Sequence, residues 1–285
     1  MNSVSYPRGY SLNLFSYLKY LNKRRHEDFL YYKRYNELKK IIKNEKLNTL
    51  FQPIVNLQTN ETFGFEALNR PLQSQLFANP DQFYEFVGQT DMVFQFEKFC
   101  RNLSLKRFIA RLTQQEIERD FTLFLNIHPH VLLDKNYHGG ETLQLLKEIG
   151  IQPDQVVFEL TERSAVTDFK EFERVLSNYR SQGYRIAIDD VGSGYNSLKT
   201  LIYLKPEFIK LDRSLIQYID NSQAGQQLVS LIYNYAVQSN TKIIAEGIER
   251  IEEIQYLQSV GIHFGQGYAL GRPDENIKLG NVPLL

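Results

Sequence analysis

The sequence of 285 residues has no tryptophan, one cysteine and no net charge, and these absences exclude several classes of protein. A single cysteine, Cys100, excludes an internal disulfide framework and suits a reducing compartment, so we expect a cytoplasmic protein. Basic and acidic side chains number 33 each, which leaves no overall positive field to hold DNA. No apolar run is long enough to cross a bilayer, and the N-terminus lacks the apolar core of a signal peptide.

What is present is the composition of a globular protein, with 42% apolar, 13% aromatic and 23% charged residues. The charge is uneven: residues 1–50 carry eleven basic and four acidic side chains, a net charge of +7 that the remainder cancels. Four side chains in this segment recur with helical spacing: Tyr31, Tyr35, Leu38 and Ile42. We therefore predict an amphipathic helix over residues 27–45.

We divide the chain into a basic, tyrosine-rich helical N-terminal segment, residues 1–46, and one main domain, residues 47–285. Three interpretations of the N-terminal helix stay open. It packs on the main domain with its charges in water, it pairs with a second copy, or it contacts an anionic membrane surface.

The main domain alternates short apolar runs with helical patterns. We predict eight strands, at Leu50–Leu57, Thr62–Leu68, Phe121–Ile127, Gln155–Leu160, Tyr184–Ile188, Phe208–Leu211, Thr241–Ala245 and His263–Tyr268. Helical patterns separate all of these runs except the first two, where Asn56–Glu61 is typical of a hairpin turn. Parallel strands need crossover connections, so the pattern predicts a closed β/α barrel whose first strand is antiparallel.

Polar residues stand near the C-terminal end of nearly every predicted strand. They are Glu66, Asn126, Glu159, Asp189, Asp190, Lys210, Glu246 and Gln266. Taken singly, each is more often a solvated side chain or a turn residue, but a β/α barrel gathers its functional groups at this rim. Converging carboxylates repel one another, and a divalent cation resolves that conflict. The donors are oxygens without His or Cys, which favours Mg²⁺ or Mn²⁺ over zinc.

These residues stand in eight motifs that follow one another in a recognisable order. The motifs are Phe51-Gln52-Pro53-Ile54-Val55, Glu66-Ala67-Leu68 with Arg70, Leu125-Asn126-Ile127-His128-Pro129, Glu159-Leu160-Thr161-Glu162, Asp189-Asp190-Val191-Gly192-Ser193-Gly194-Tyr195, Ile209-Lys210-Leu211-Asp212, Ala245-Glu246-Gly247-Ile248-Glu249 and Gln266-Gly267-Tyr268. From about Leu47 to Pro273 the sequence resembles the EAL domain, the bacterial cyclic di-GMP phosphodiesterase domain. Two departures are Val191, where the family usually has Phe, and Pro71, where it commonly has Trp.

The resemblance implies a modified TIM-type β/α barrel with an antiparallel first strand. It implies hydrolysis of cyclic di-GMP to linear pGpG by metal-activated water, with one or two Mg²⁺ or Mn²⁺ ions. The implied metal ligands are Glu66, Asn126, Glu159, Asp189, Asp190 and Glu246, and the implied catalytic group is Lys210, Glu246, Glu66 and Gln266. Lys210 would contact the attacking water, Gln266 would order a water on the metal, and Glu162 would brace the loop after Asp190. The implied contacts to the dinucleotide are Gln52, Leu68, Arg70 and Asp212, with Arg70 on a phosphate.

The complete ligand set favours an active phosphodiesterase. Two alternatives stay open: a catalytically weak or inactive cyclic di-GMP receptor that acts through a partner protein, and a barrel that serves only as an interaction scaffold. The resemblance also implies a homodimer formed through Tyr195–Leu204, and it allows a sensor or effector protein as a partner.

Overall fold

The barrel was examined in a computed structural model, which describes residues 14–72, 74–117, 120–127, 140–161, 169–193 and 197–283. Its strands are β1 Leu47–Asn56, β2 Thr62–Pro71, β3 Thr122–Asn126, β4 Val156–Thr161, β5 Arg185–Val191, β6 Phe208–Leu211, β7 Lys242–Ala245 and β8 Phe264–Gly265. They close into a barrel in chain order. Strand β1 is antiparallel to both β2 and β8, and the other neighbours are parallel. The predicted barrel and its antiparallel first strand are confirmed.

The hairpin between β1 and β2 explains the antiparallel strand. Its turn is held by Asn56, whose Oδ1 accepts the backbone N–H groups of Gln58 and Thr59 at 2.9 and 3.1 Å. Asn60 takes the left-handed conformation, with φ of 60°, which asparagine tolerates better than most residues. Because β1 runs against the other strands, its first residues reach the rim where those strands end. Gln52 of β1 pairs there with Glu66 of β2.

Helices cover the outside of the barrel and bury its outward-facing side chains. They are α2 Pro80–Gly88, α3 Val93–Gln114, α4 Gly140–Ile149, α5 Phe169–Ser181, α6 Ser197–Leu204, the short α7 Arg213–Ile216, α8 Gln223–Ser239 and α9 Ile251–Val260. On the outer face of the barrel, for example, Phe51 and Phe65 pack against Phe108 of α3, with ring centroids 5.5 and 6.0 Å apart. In the part of the chain that the structure describes, no helix combines the length and apolar character needed to cross a membrane.

The N-terminal helix α1, Leu14–Lys43, begins earlier in the chain than the sequence pattern predicts. Its last turns pack on the main domain, where Leu38 and Ile41 are buried with side chains from α2 and α3. Arg34 donates through Nε to the Leu76 carbonyl at 2.9 Å. The first half leaves its aromatic side chains in solvent, with Phe15 79% exposed. Packing on the domain therefore applies to the C-terminal half of α1, and the boundary at residue 46 stays a prediction.

The barrel interior contains an apolar layer that supports the rim. It consists of Ile54, Phe124, Val157, Ala187, Phe208, Ile244 and Phe264, with Phe63 packed against them. The Phe63 and Phe264 rings stack at 4.3 Å between centroids. Strand β8 is shorter than predicted because the chain leaves the sheet after Gly265, and Gly267 then approaches Ile248. A Cβ on Gly267 would lie 2.1 Å from the Ile248 carbonyl oxygen, so a larger residue does not fit there.

Candidate active site

A polar layer lies directly above the apolar layer, at the C-terminal ends of the parallel strands. Successive side chains of a strand point to opposite faces, so residues two positions apart face the same way. Phe124 is followed in this way by Asn126, Val157 by Glu159, Ala187 by Asp189, Phe208 by Lys210, Ile244 by Glu246 and Phe264 by Gln266. Each of these strands therefore contributes an apolar side chain to the interior layer and, two residues later, a polar side chain to the rim.

Lys210 lies at the centre of this rim, with its side chain only 1% exposed. Its ammonium nitrogen Nζ is 2.8 Å from both Glu159 Oε1 and Glu246 Oε1. The same nitrogen is 3.3 Å from Glu66 Oε2 and from Asp189 Oδ1. One buried cation therefore contacts four carboxyl groups, three of them on β2, β4 and β5 and one directly after β7. Lys210 supplies part of the positive charge that the sequence pattern assigned to a divalent cation.

Glu66 is held by neutral donors as well as by Lys210. Asn126 Nδ2 donates to Glu66 Oε1 at 3.0 Å, and Gln266 Nε2 donates to Glu66 Oε2 at 2.7 Å. Gln266 Nε2 also lies 3.2 Å from Gln52 Oε1, and Gln52 donates through Nε2 to the Gly271 carbonyl at 3.2 Å. The predicted residues Gln52, Glu66, Asn126 and Gln266 thus form one hydrogen-bonded group.

A β-bulge brings the two adjacent aspartates of β5 to the same place. Ile188 pairs with Ile209 and Val191 pairs with Leu211, so β5 has one more residue than β6 between these pairs. Asp190 takes the left-handed conformation, with φ of 58°, and so departs from strand geometry. One carboxylate oxygen each of Asp189, Asp190 and Glu246 then lie within 4.8 Å of one another. This is the cluster expected of a divalent cation site.

The crowding of charge shifts the protonation of the rim. Burial acts to lower the pKa of Lys210, but the surrounding carboxylates, Asp189 first among them, hold it well above its ordinary value. Burial and the neighbouring Glu66 raise the pKa of Glu159 well above its ordinary value. Burial raises the pKa of Glu246 to about 8, against the attraction of Lys210. Burial also acts to raise the pKa of Glu66, yet Lys210 and two amide donors bring it below its ordinary value.

The rim fits a divalent cation on two observations. Glu159 is buried, and its Oε2 finds no hydrogen-bond donor among the described residues. A buried polar atom of this kind is costly unless something binds it. The available donors are carboxylate oxygens and the Asn126 amide, which suits hard cations such as Mg²⁺, Mn²⁺ or Ca²⁺.

A pocket of about 500 Å³ opens beside the rim, between the ends of β2 and β3 and the helices α2 and α3. Leu68, Arg70 and Asn126 line its mouth, and Arg70 is exposed to solvent. The predicted contact residues Leu68 and Arg70 therefore lie next to the acidic cluster. Asp212 has a structural task, since its carboxylate caps α7 by accepting the Ser214 backbone N–H at 2.9 Å. Glu162 lies outside the described residues.

Glu253, which is not among the predicted site residues, is a buried carboxylate that holds the loop after Glu246. Glu253 Oε1 accepts the backbone N–H of Tyr218 at 2.8 Å. Its Oε2 accepts those of Glu249 and Arg250 at 3.0 and 3.1 Å. In the sequence, Glu253 stands three residues after Arg250, the residue that precedes α9. This is the spacing of a capping box.

The fold and these donors define a class: a β/α barrel with an oxygen-ligand metal centre at the ends of its strands. A family model, that of the EAL domain, matches residues 35–273. The chain belongs to the EAL domain family.

Relatives with assigned names agree with this placement. PdeB of Escherichia coli strain K12, named a probable cyclic di-GMP phosphodiesterase, is 28% identical over 254 residues, which cover 85% of this chain and 46% of the relative. PA2567 of Pseudomonas aeruginosa, named a cyclic di-GMP phosphodiesterase, is 29% identical over 231 residues, covering 80% of this chain and 38% of the relative. The chain spans less than half the length of these relatives.

A solved structure supports the fold and shows what a related protein binds. BlrP1 of Klebsiella pneumoniae, determined as a complex with calcium and cyclic di-GMP, matches with a TM-score of 0.71 and 28% identity. The match covers 83% of this chain and 57% of that chain. The same protein was also determined with manganese and cyclic di-GMP.

Proposed function

We propose that this protein hydrolyses one phosphodiester bond of cyclic di-GMP to give linear pGpG, with Mg²⁺ or Mn²⁺ as its cofactor. The observation that carries the proposal is the rim itself, where four carboxyl groups surround one buried ammonium and Glu159 Oε2 has no donor in the described part of the chain. The names of the relatives and the ligands of BlrP1 support the choice of substrate and of a divalent ion.

The residues of the rim divide into holders of the cofactor and groups that act on water and phosphate. The holders would be Glu66, Asn126, Glu159, Asp189, Asp190 and Glu246. When bound, the ion would supply Lewis-acid activation, which lowers the pKa of water from about 15.7 to about 7. Lys210 would orient the attacking water and offset the negative charge that develops on the phosphoryl oxygens. Gln266, whose Oε1 lacks a partner among the described residues, would orient a water there.

The dinucleotide would lie across the mouth of the pocket beside the rim. Gln52 and Leu68 would contact it from β1 and β2, and Arg70 would hold a phosphate. Arginine suits this role because its guanidinium donates two parallel hydrogen bonds to phosphate oxygens. Asp212 stays a predicted contact, from its position at the end of β6.

A time course of cyclic di-GMP with the purified protein and Mn²⁺ or Mg²⁺, resolved by chromatography, tests the proposal. We expect pGpG to appear, and EDTA to stop its appearance. The Glu66→Ala variant should lose hydrolysis, since it removes a ligand and the acceptor of Asn126 and Gln266. Glu116→Ala, in a turn far from the rim, is the control. Normal turnover by Glu66→Ala would show that the metal assignment is wrong.

Binding without turnover would identify the alternative function, a cyclic di-GMP receptor that acts through a partner. Calorimetry with Ca²⁺ in place of Mg²⁺ measures binding separately from hydrolysis. No binding and no turnover would leave the barrel as an interaction scaffold.

A homodimer is part of the proposal and is supported by an exposed apolar surface. In α6, Ile202 is 59% exposed, and in α8, Leu231 is 67% exposed. The two helices are adjacent, since the Tyr235 hydroxyl donates to the Leu201 carbonyl at 3.0 Å. Helix α8 carries no charged side chain, which suits burial against a second copy. A mass in sedimentation that stays monomeric at every concentration would contradict this.

A sensor or effector protein is a further proposed partner, supported by the exposed side chains of the first half of α1. Phe15 and Tyr20 are each more than half exposed. The location we propose is the cytoplasm, which the single buried Cys100 suits.

A further inference from the structure

Asn69 stands between two residues of the predicted substrate contact, Leu68 and Arg70, but its own side chain faces away from the rim. Along β2, Glu66, Leu68 and Arg70 share one face, and Asn69 lies on the other, toward α3. The sequence analysis gave it no role. The contacts of Asn69 show how the chain fixes the position of Arg70.

The Asn69 amide is held on both sides by buried hydroxyl groups. Asn69 Oδ1 accepts from Thr49 Oγ1 of β1 at 2.8 Å, and Asn69 Nδ2 donates to Ser104 Oγ of α3 at 2.9 Å. Thr49 is 4% exposed and Ser104 is fully buried. Thr49 is itself bonded by Arg107 Nη1 at 3.1 Å. The amide therefore joins β2 to β1 and to α3 through two hydrogen bonds whose hydroxyl partners are buried.

The backbone of Asn69 is held as well. The Tyr84 hydroxyl of α2 donates to the Asn69 carbonyl oxygen at 2.6 Å, and Arg70 Nη1 donates to the same oxygen at 3.3 Å. A carbonyl oxygen has two lone pairs and can accept both bonds. Burial raises the pKa of the Tyr84 phenol, which keeps the hydroxyl protonated as a donor.

Arg70 is restrained from its other side by the residue that follows it. Pro71 disfavours the α conformation for the residue before it, so the Arg70 backbone is kept extended. The family commonly has a tryptophan in place of Pro71, and this chain has no tryptophan at all. Tyr84 and Ser104 line the wall of the pocket beside Arg70. The hydrogen bonds of Asn69 and the proline thus restrain the Arg70 backbone from both sides.

We propose that Asn69 is a positioning residue, which sets the Arg70 guanidinium at the mouth of the pocket for a substrate phosphate. The proposal rests on the proposed function, because it assumes that Arg70 contacts cyclic di-GMP. A positioning residue acts through another group, so its loss should weaken substrate binding more than it slows the chemical step.

The test compares four variants of the whole 285-residue chain with the wild type. Asn69→Leu has a similar volume and lacks both hydrogen bonds. Asn69→Asp keeps the shape and accepts hydrogen bonds from both hydroxyls, with Ser104 turned to donate. Tyr84→Phe removes only the bond to the backbone. Thr241→Val is the matched control, because it also removes two hydrogen bonds, to the Pro206 carbonyl and with the Ser239 hydroxyl, at the opposite end of the barrel.

We expect Asn69→Leu to raise the dissociation constant for cyclic di-GMP in Ca²⁺, and the KM in Mn²⁺, about tenfold. The kcat of Asn69→Leu should stay within about twofold of wild type. Tyr84→Phe should raise KM by a smaller factor. Asn69→Asp should recover most of the affinity for cyclic di-GMP. Thr241→Val should lower the melting temperature without changing KM. In an Arg70→Ala background, Asn69→Leu should cause no further loss of affinity, because the two changes remove one contact.

Two results would overturn the proposal. One is an Asn69→Leu protein whose affinity matches wild type while its melting temperature falls as in Thr241→Val. The other is an additional loss of affinity in the Arg70→Ala background. Failure of the proposed function looks different, since the wild type would then neither bind cyclic di-GMP in Ca²⁺ nor hydrolyse it in Mn²⁺.

Discussion

Each end of the barrel contains a cation, fully buried at one end and half-buried at the other, and the direct contacts of the two differ. Lys210, at the C-terminal ends of the strands, contacts four carboxyl groups. Arg185, at the N-terminal end, donates to the Thr122 hydroxyl at 3.0 Å and lies 5.3 Å from the centre of the Phe208 ring. The two groups lie on neighbouring strands, β6 and β5, so the comparison separates a cation in direct contact with carboxyl groups from one bonded to neutral groups. The rim places charge against charge, while the opposite end places its cation against a hydroxyl group and an aromatic ring.

The largest expected effect is that of Lys210→Met. Removing one partner of a buried ionic cluster leaves its carboxylates uncompensated, which costs about 3–5 kcal/mol of stability. We expect turnover to fall about a hundredfold to a thousandfold, the scale of losing one preorganised electrostatic group. Thermal unfolding in EDTA and a pGpG assay measure the two effects.

Lys242→Met, in an exposed residue of β7, is the control for this comparison. Addition of Mn²⁺ should restore part of the stability of Lys210→Met, since the ion replaces the lost positive charge. A variant as stable as wild type in EDTA would mean that the four contacts of Lys210 contribute nothing.

Phe208→Ala tests the apolar layer between the two cations. Phe208 packs against Phe124 with ring centroids 5.2 Å apart and is 3% exposed. The cavity should cost about 3–5 kcal/mol of unfolding free energy. Below its melting temperature, the variant should keep turnover that depends on the metal ion. A variant that is stable but inactive would contradict the view that the apolar layer acts on stability alone.

The pH dependence of stability sharpens the comparison at the rim. The pKa of Glu246 rises from 4.5 to about 8 on folding, so the folded protein binds more protons than the unfolded chain between these values. Stability in EDTA should therefore fall as pH rises from about 5 to 8. A bound ion displaces those protons, so the melting-temperature gain from Mn²⁺ should grow over the same range. Glu246→Gln should flatten the dependence of stability on pH in EDTA. An unchanged slope would show that another group causes the dependence.

The smallest expected effect is that of Arg185→Met. Burial lowers the pKa of Arg185, and its Nε lacks a hydrogen-bond partner among the described residues. Replacing a buried charge by an apolar side chain of similar length is often neutral. We expect a stability change within about 1 kcal/mol and turnover within about twofold. A loss of activity as large as that of Lys210→Met would remove the distinction between the two ends.

The barrel and the identity of its rim residues were predictable because both depend on local periodicity. Short continuous apolar runs ended in Glu159, Lys210 and Glu246, and the alternation with helices required parallel strands. The polar layer follows from these facts and from the rule that strand ends meet at one rim.

Contacts that depend on pairing between distant strands were not predictable. Adjacent strand residues normally face opposite ways, and the sequence around Asp189 and Asp190 does not show that β5 has an extra residue against β6. The partners of Asn69 lie 20 and 35 residues away, on β1 and α3, so no local pattern marks them. Register and helix placement decide such contacts, and both are set by tertiary packing.

The four contacts of Lys210 have a consequence for how the protein is made. A centre whose acids are balanced only by a metal ion would leave the new chain unable to finish folding until the ion arrived. Here the chain carries a counter-charge of its own in Lys210, so under the proposed function the barrel would fold before it acquires an ion. A cell short of manganese or magnesium would then accumulate folded, inactive protein, and a restored supply would activate this store without new translation.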